Sequence, residues 1–462
     1  MKQTVQENPI CYRLSPDRRL LNGNGHSCHA PRYAVSPDTA VPDVPPCLMG
    51  GQHHTVVGLD RIRRVALMVN PNPGGSFIDQ LWESISTMRA VLRQQGEPMA
   101  VTVQTVFLAD PRDAEAARNL FGAYFGDRMP VTLFVAQPPC DGRRIAIEAW
   151  AVGTESAEVT FHDPGLVTVS YDGLEWIHVA VESPAGNGTT AYNQAAEVFA
   201  GMRTRLAEAG ASFEDVVRTW LYQGSITKSE GGTERYRELN RARTDFFSEF
   251  RFDANRLATA TDHEIYPAST GIGTNGRGLT TACLALRSRR RDAKLVSLEN
   301  PLQVSSFDYP KRYSAKSPKF SRAMAVRSGD HLTTWISGTA SIVASETVHL
   351  GDVEGQTDQT LTNIENLIGA DNFDRAGWAD AGASLSDLAK VRVYVKHLDD
   401  YEKCRAICEA RLGAIPAIYA QADICRPDLL VEIEGVAFSS LKPADDDARP
   451  QPNRSCKELS PI

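Results

Sequence analysis

A chain of 462 residues is too long for one ordinary domain, and two to four fit its length. The hydrophobic content of 42% suits a soluble globular protein with substantial cores. A net charge of −8 argues against a nucleic-acid groove or an anionic membrane surface as the main function, and nine scattered cysteines make no disulfide framework.

Residues 1–58 are rich in Pro, Gly, Asn and His, show no sustained period, and read as an irregular leader. Its first ten residues lack the apolar core of a signal peptide, and no run in the chain approaches a transmembrane helix, so a reducing cytoplasm is the expected setting. His26, Cys28, His29, Cys47, His53 and His54 fit no standard zinc spacing, and no metal is expected.

A repeat follows. In residues 59–153, Ile78, Leu81, Trp82, Ile85, Met88, Val91 and Leu92 form a helical stripe. Strands are predicted over 101–109, 131–135 and 144–150, with a second helix over 113–124 capped at Gly126. Residues 154–295 repeat the order: an early strand over 176–182, a helix over 190–208, a strand within 210–223, a charged helix with Tyr236, Leu239, Phe246 and Phe247, and a strand over 279–286. Residues 296–441 hold the third copy, and 442–462 read as a disordered tail. The segments Gly210–Tyr222 and Gly382–Tyr394 match almost position for position. Each copy is an α+β unit with two helices on one face of a mixed sheet. Three such units can bury their uncovered sheet faces against one another, which gives a pseudo-trimer within one chain, with clefts between neighbouring units.

The last strand, predicted over Val431–Ala437 and ended by Ser439–Ser440, puts Glu432 and Glu434 on one face. Two carboxylates on an apolar strand are either ion-pair partners or acids kept for chemistry. The first copy has Ala146 opposite Glu432 and Glu148 opposite Glu434, so Glu434 reads as the shared, structural carboxylate and Glu432 as the special one.

The segments Ile336–Thr339, Lys390–Asp400 and Leu430–Gly435 resemble the YjgF, or reactive-intermediate deaminase, fold, a homotrimer with sites between subunits. A closer resemblance, over about Glu155 to Phe438, is to the chorismatases. It is carried by Tyr266–Gly273, Leu298–Pro301, Tyr309–Tyr313, Phe320–Ala323, Ser337–Ala340, His349–Val353, Asp423–Arg426 and the Glu432 strand. The resemblance implies three YjgF-like (chorismate-mutase-like) modules and cleavage of chorismate without a cofactor. Glu432 corresponds to the family's glutamate that protonates the enolpyruvyl methylene.

Arg322 and Arg218 are the expected grips for the substrate carboxylates, with Tyr222 and Tyr313 as hydrogen-bond donors. Ser337 and Thr339 belong to a family motif. Thr270, Gly271 and Gly273 read as a tight turn whose backbone approaches the ligand. Gly338 and Cys425 resemble the branch that forms 3-hydroxybenzoate, with some 4-hydroxybenzoate in relatives; the branch forming a dihydroxycyclohexadienoate carries alanine at each. A glycine at 338 is expected to let the substrate ring settle deeper, beside the Cys425 sulfur. The alternatives are that chorismate hydrolase, a YjgF-type imine or enamine deaminase, and a non-catalytic metabolite-binding module. Deaminase chemistry is disfavoured because its carboxylate-binding arginine is replaced by Ile418, Ser269 and Thr132 in the three copies. The partner is thus a small molecule, not nucleic acid or membrane, and the chain is a monomer with an internal pseudo-trimer or a weak homo-oligomer.

Overall fold

The structure, a computed structural model, describes residues 53–59, 62–186, 189–252, 264–310 and 316–441. The first sheet is built from β1 (His54–Leu59), β2 (Ile62–Val69), β3 (Met99–Leu108), β4 (Val131–Val135) and β5 (Ile145–Gly153), in the order β1-β2-β5-β3-β4. Helices α1 (Phe77–Arg93) and α2 (Ala114–Phe125) connect its strands.

The second sheet comprises β6 (Glu158–Asp163), β7 (Leu166–Tyr171), β8 (Leu174–Ser183), β9 (Val216–Gly224), β12 (Ala268–Thr274) and β13 (Leu279–Ser288), in the order β12-β9-β13-β8-β7-β6. Helices α3 (Ala191–Glu208) and α4 (Arg235–Phe247) belong to it, and β10 (Ser229–Glu230) and β11 (Thr233–Glu234) make a small hairpin before α4.

The third sheet runs β14-β15-β16-β21-β19-β20, formed by β14 (Lys294–Leu298), β15 (Ala323–Ser328), β16 (His331–Ala340), β19 (Leu388–Val395), β20 (Ala417–Gln421) and β21 (Val431–Ser440). A second small hairpin, β17 (Ile342–Val343) and β18 (Glu346–Thr347), precedes helices α5 (Val353–Ile368), α6 (Ala370–Arg375) and α7 (Tyr401–Leu412).

Each sheet holds the same four-strand unit. A parallel pair (β3/β4, β9/β12, β19/β20) is followed by two antiparallel strands (β5 and β2, β13 and β8, β21 and β16). The matching segments in the second and third copies start their strands alike. Ser212 and Ser384 each close a single turn in which an aspartate three residues on, Asp215 or Asp387, accepts the serine backbone N–H at 2.8 Å. The chain then leaves as β9 or β19.

Helices cover one face of each sheet. Leu81, Ile85 and Met88 of α1 pack on Val65 and Ile147, while Leu361 and Ile364 of α5 pack on Ile336 and Ile433. The opposite faces join one large apolar cluster that includes Met68, Phe107 and Trp150 of the first sheet, Leu221 and Ala282 of the second, and Trp335 and Val436 of the third. Trp335 touches Trp150 and Trp220 edge-on, with ring centres 6.1 and 6.2 Å apart.

Several sequence expectations change. His54–Gly58, assigned to the leader, belong to a strand that runs on to Leu59 and pairs in register with β2, because Val57 turns into the core. Lys294 and Leu295 pair with β15 and so belong to the third sheet rather than the second. Ser439 and Ser440 continue β21 instead of ending it. The Thr270–Gly273 segment is no turn; it lies in β12, parallel to β9. The leader up to residue 52, the tail after 441 and Tyr313 lie outside the described residues. Among the described residues no helix is long and apolar enough to cross a membrane, and no cluster of His, Cys, Asp and Glu could hold a metal.

Candidate active site

β21 presents Glu432 and Glu434 on the face turned away from its own helices, and both are buried (4% and 3% exposed). Opposite them β16 bulges. Ile336 pairs with Gly435 and Thr339 with Ile433, so Ser337 and Gly338 together stand across from Glu434 alone. The bulge carries Gly338 against the Glu432 carboxyl. A methyl group at 338 would overlap Glu432 Oε1 and lie 3.1 Å from Thr270 Cγ2. The Glu432 carboxyl therefore occupies the place that a side chain at 338 would take.

The two carboxylates have opposite surroundings. Glu434 is held by Arg218, by Arg392 Nη1 at 2.9 Å, by Tyr394 Oη at 2.7 Å, by Thr270 Oγ1 at 2.6 Å and by Trp220 Nε1 at 3.0 Å. Burial opposes its ionisation, but Arg392, Arg218 and these hydrogen bonds win and bring it down to about 2. Among the described residues no hydrogen bond reaches the Glu432 carboxyl. Burial, aided by the Glu434 charge, pushes Glu432 up to about 8, against Arg218 and Arg322. Glu432 is thus a neutral acid at pH 7, and Glu434 a permanent anion.

Glu432 opens onto a cavity of about 320 Å³ between the second and third sheets, a volume suited to a small metabolite. Gly271 of β12, Gly338 and Cys425 share its wall. Of the four arginines that line it, Arg237, Arg243, Arg322 and Arg426, two share the Phe320 ring. Arg322 donates to Tyr309 Oη at 2.5 Å and to the Val304 carbonyl at 3.3 Å, and its buried Nε has no partner among the described residues. Arg243 of α4 donates to Asn240 Oδ1 at 2.5 Å and to Ser269 Oγ at 3.4 Å, and its Nε is likewise unpartnered among the described residues. Both guanidiniums lie over the Phe320 ring, at 5.3 and 5.6 Å. Behind Arg322, Glu299 Oε1 accepts the Arg322 backbone N–H at 3.3 Å; burial pushes this carboxyl up to about 7 despite the nearby guanidinium. Burial, and then the neighbouring Glu432, push the Cys425 thiol up to about 12, so it is a neutral weak donor and not a thiolate nucleophile.

The cavity gathers Glu432, Cys425, Gly338, Arg322 and Gly271 among the residues singled out from the sequence. It does not gather Arg218 or Tyr222. Arg218 is 1% exposed and committed to Glu434, to Thr270 Oγ1 at 2.6 Å and to the Thr219 carbonyl at 3.0 Å. The Tyr222 hydroxyl accepts from Arg392 in the interior between sheets. Both stand on β9, whose inward face meets the other two sheets instead of the cleft. Ser337, Thr339, Thr270 and Gly273 are wall supports. Ser337 Oγ accepts the Ser269 N–H at 2.8 Å and donates to the Ser321 carbonyl at 2.6 Å, stitching β12 to the third sheet. Thr339 Oγ1 donates to the Ser337 carbonyl at 2.9 Å, within the bulge. Gly273 donates its N–H to the Asp423 carbonyl at 2.8 Å, an approach that any side chain would block.

The sequence reading missed Tyr236, Asn240 and Arg243, which line the cavity from one face of α4. Their spacing of four and then three residues was a usable signal, masked by the apolar stripe on the same helix. Ser269, which lines the cavity where a YjgF-type arginine would stand, has the Arg243 guanidinium beside it. The cation thus comes from the helix instead of the strand.

Comparison with known proteins decides the family. Residues 148–285 match the family model described as chorismatase FkbO/Hyg5-like, N-terminal, and residues 314–439 match that of endoribonuclease L-PSP. A 3-hydroxybenzoate synthase of Streptomyces hygroscopicus is 35% identical over 297 residues, 63% of this chain and 81% of that protein. The chain belongs to the chorismatase family. A chorismatase of Streptomyces rapamycinicus is also 35% identical, over 63% of this chain and 86% of that protein. A chorismatase crystal structure shares the fold, with a TM-score of 0.60 and 24% identity over 83% of this chain and 99% of that one. In this chorismatase the cavity lies between the two matched segments: Tyr236, Arg243, Ser269 and Gly271 come from the first, and Arg322, Gly338, Cys425 and Glu432 from the second.

Proposed function

We propose that the chain cleaves chorismate to 3-hydroxybenzoate and pyruvate, with Glu432 as general acid. The observation that carries this is the divergence of two carboxyls on one strand, one at about 8 and facing the cavity, the other at about 2 and turned into ion pairs. A neutral carboxyl in a desolvated wall can give its proton to the enolpyruvyl methylene, leaving an oxocarbenium ion at the adjacent carbon. The substrate's ring hydroxyl then attacks the ring carbon that bears the ether as that carbon–oxygen bond breaks and pyruvate leaves, its proton returning to the ionised Glu432; loss of the hydrogen on that carbon aromatises the ring, and the retained oxygen takes up a proton as the phenol. Chorismate is divided between the two products with no water consumed, and no metal or organic cofactor enters the step. Arg322 and Arg243 are suited to the two substrate carboxylates, since each keeps buried N–H groups free of any carboxylate partner among the described residues.

The relatives named 3-hydroxybenzoate synthase and chorismatase support both the substrate and the product. Gly338 leaves the Glu432 carboxyl its place at the cavity wall. Three YjgF-like modules around a pseudo-threefold axis, in a monomer, account for the repeated four-strand unit and the shared interior. Free Cys140, Cys283, Cys404, Cys408 and Cys425 agree with a reducing cytoplasm. Incubation with chorismate, a pyruvate assay and chromatography of the aromatic product test the reading. A dihydroxycyclohexadienoate as main product would reassign the chain to hydrolysis, and no pyruvate at all would leave the binding-module reading.

A further inference from the structure

Glu434 does not reach the cavity, yet more donors converge on it than on Glu432, and they come from two sheets: Arg218, Trp220 and Thr270 from the second, Arg392 and Tyr394 from the third. Arg392 ties this knot to the first sheet as well, through Glu148 and through Thr105 Oγ1 at 3.1 Å. Thr270 Oγ1 also accepts the Gly338 N–H at 2.9 Å, so the knot holds the very backbone on which the Glu432 carboxyl rests. We infer that Glu434 is a positioning residue for proton delivery: its fixed negative charge, two residues along the strand, keeps the proton on Glu432, and Thr270 keeps Gly338 beneath it.

The sign follows from the charges that face Glu432. Arg218 from β9 and Arg322 at the start of β15 favour its ionised form; Glu434 on its own strand disfavours it. Tyr236 from α4, Cys425 from the loop before β21 and Tyr394, its cross-strand neighbour on β19, are held neutral by burial. Removing the Glu434 charge takes away the opposing anion on its own strand and also frees Arg218, its ion-pair partner, to act on Glu432. Both effects draw the proton off. The first sheet, which lends no residue to the cavity, then serves the chemistry through Glu148 and Arg392.

This inference rests on Glu432 being the proton donor, and the test separates the two. The pH dependence of kcat/KM for pyruvate release is measured for the wild type, Glu434→Gln, Arg218→Met and Glu432→Gln, with circular dichroism to confirm folding. The wild type should lose activity on the basic side as Glu432 deprotonates. Glu434→Gln should move that limb to lower pH by about one unit or more, so that the loss at pH 8 is about fivefold or more the loss at pH 6. Arg218→Met should move it the opposite way, and this variant carries the test alone if Glu434→Gln does not fold. A purely structural role would lower activity equally at every pH. Basic limbs that coincide with the wild type, with Glu432→Gln inactive, overturn the inference. Turnover retained by Glu432→Gln overturns the donor assignment instead.

Discussion

Glu432 shows how one side chain can be costly to the fold and useful to the reaction. Its carboxyl is raised from 4.5 to about 8, so the folded state holds a proton that the unfolded chain releases. That contribution is complete below about pH 4.5, shrinks as pH rises and is gone above about 8. Glu432→Gln cannot ionise, so its melting temperature should increasingly exceed that of the wild type between pH 5 and pH 8. The same variant should release pyruvate ~10²–10⁴-fold more slowly, the usual range for a missing general acid. Stability and rate moving in opposite directions would be the signature; a variant that is slower and also less stable at pH 8 would point to a structural role. Arg243 and Arg322 belong to a second residue-scale prediction. Replacing either with methionine keeps the stem over Phe320 but removes the charged donors, worth ~1.5–3 kcal/mol. Steady-state kinetics should show kcat/KM down by ~10–100-fold for each, with the melting temperature nearly unchanged.

At the scale of elements, two glycine positions shape the cleft. β12 carries Gly271 under the Tyr236 ring, whose nearest atom is 3.1 Å from where a Cβ would sit, and Gly273 against the Asp423 backbone, whose carbonyl carbon would be at 3.0 Å. Asp423 is itself bound to Thr227 and Lys396, so it cannot retreat easily. Gly273→Ala should therefore cost ~1–3 kcal/mol of stability by overpacking, read from denaturant unfolding. Gly338 differs, because the atom in the way is the end of a flexible glutamate. Gly338→Ala should fold and swing the Glu432 carboxyl aside; with Cys425→Ala it should shift product from 3-hydroxybenzoate towards the non-aromatic diol. Chromatography of the double variant checks this, and an unchanged product ratio would detach both positions from product choice.

The whole molecule is held by sheet faces that no helix covers. The segment 136–140 of the first sheet's β4–β5 connection bridges the other two: Gln137 Nε2 donates to the Gly273 carbonyl at 2.6 Å, the Asn275 N–H to the Ala136 carbonyl at 2.9 Å, and the Cys140 N–H to the Tyr419 carbonyl at 2.9 Å. The first sheet thus clamps the pair that forms the cleft. Truncation should respect this. Removing residues 1–52 should leave pyruvate release and melting temperature close to those of the full chain. Extending the deletion to residue 60 removes β1, with its six-residue pairing to β2 and the Thr55 hydroxyl bond to the Ala389 carbonyl at 2.7 Å, and should lower the melting temperature. Equal melting curves for the two truncations would show that β1 adds nothing.

The sequence alone determined the repeat and the helices and singled out Glu432, because these rest on local periods and on motifs of adjacent residues. The stripe on α1, the matched segments leading into β9 and β19, and the alternation that sets Glu432 and Glu434 on one face needed no partner to be legible. The tertiary structure decided what those faces meet. Arg218 and Tyr222 share a strand face, as alternation requires, but whether that face lines a cleft or an interior depends on how three sheets close together. Arg243 became a cavity residue because α4 crosses beside β12, a contact between segments some thirty residues apart. The Thr270–Gly273 glycines suggested a turn, since a strand without side chains makes sense only when a ring and a neighbouring backbone occupy the space. The divergence of the two carboxyls was beyond any local pattern, because it depends on which buried charges each of them faces.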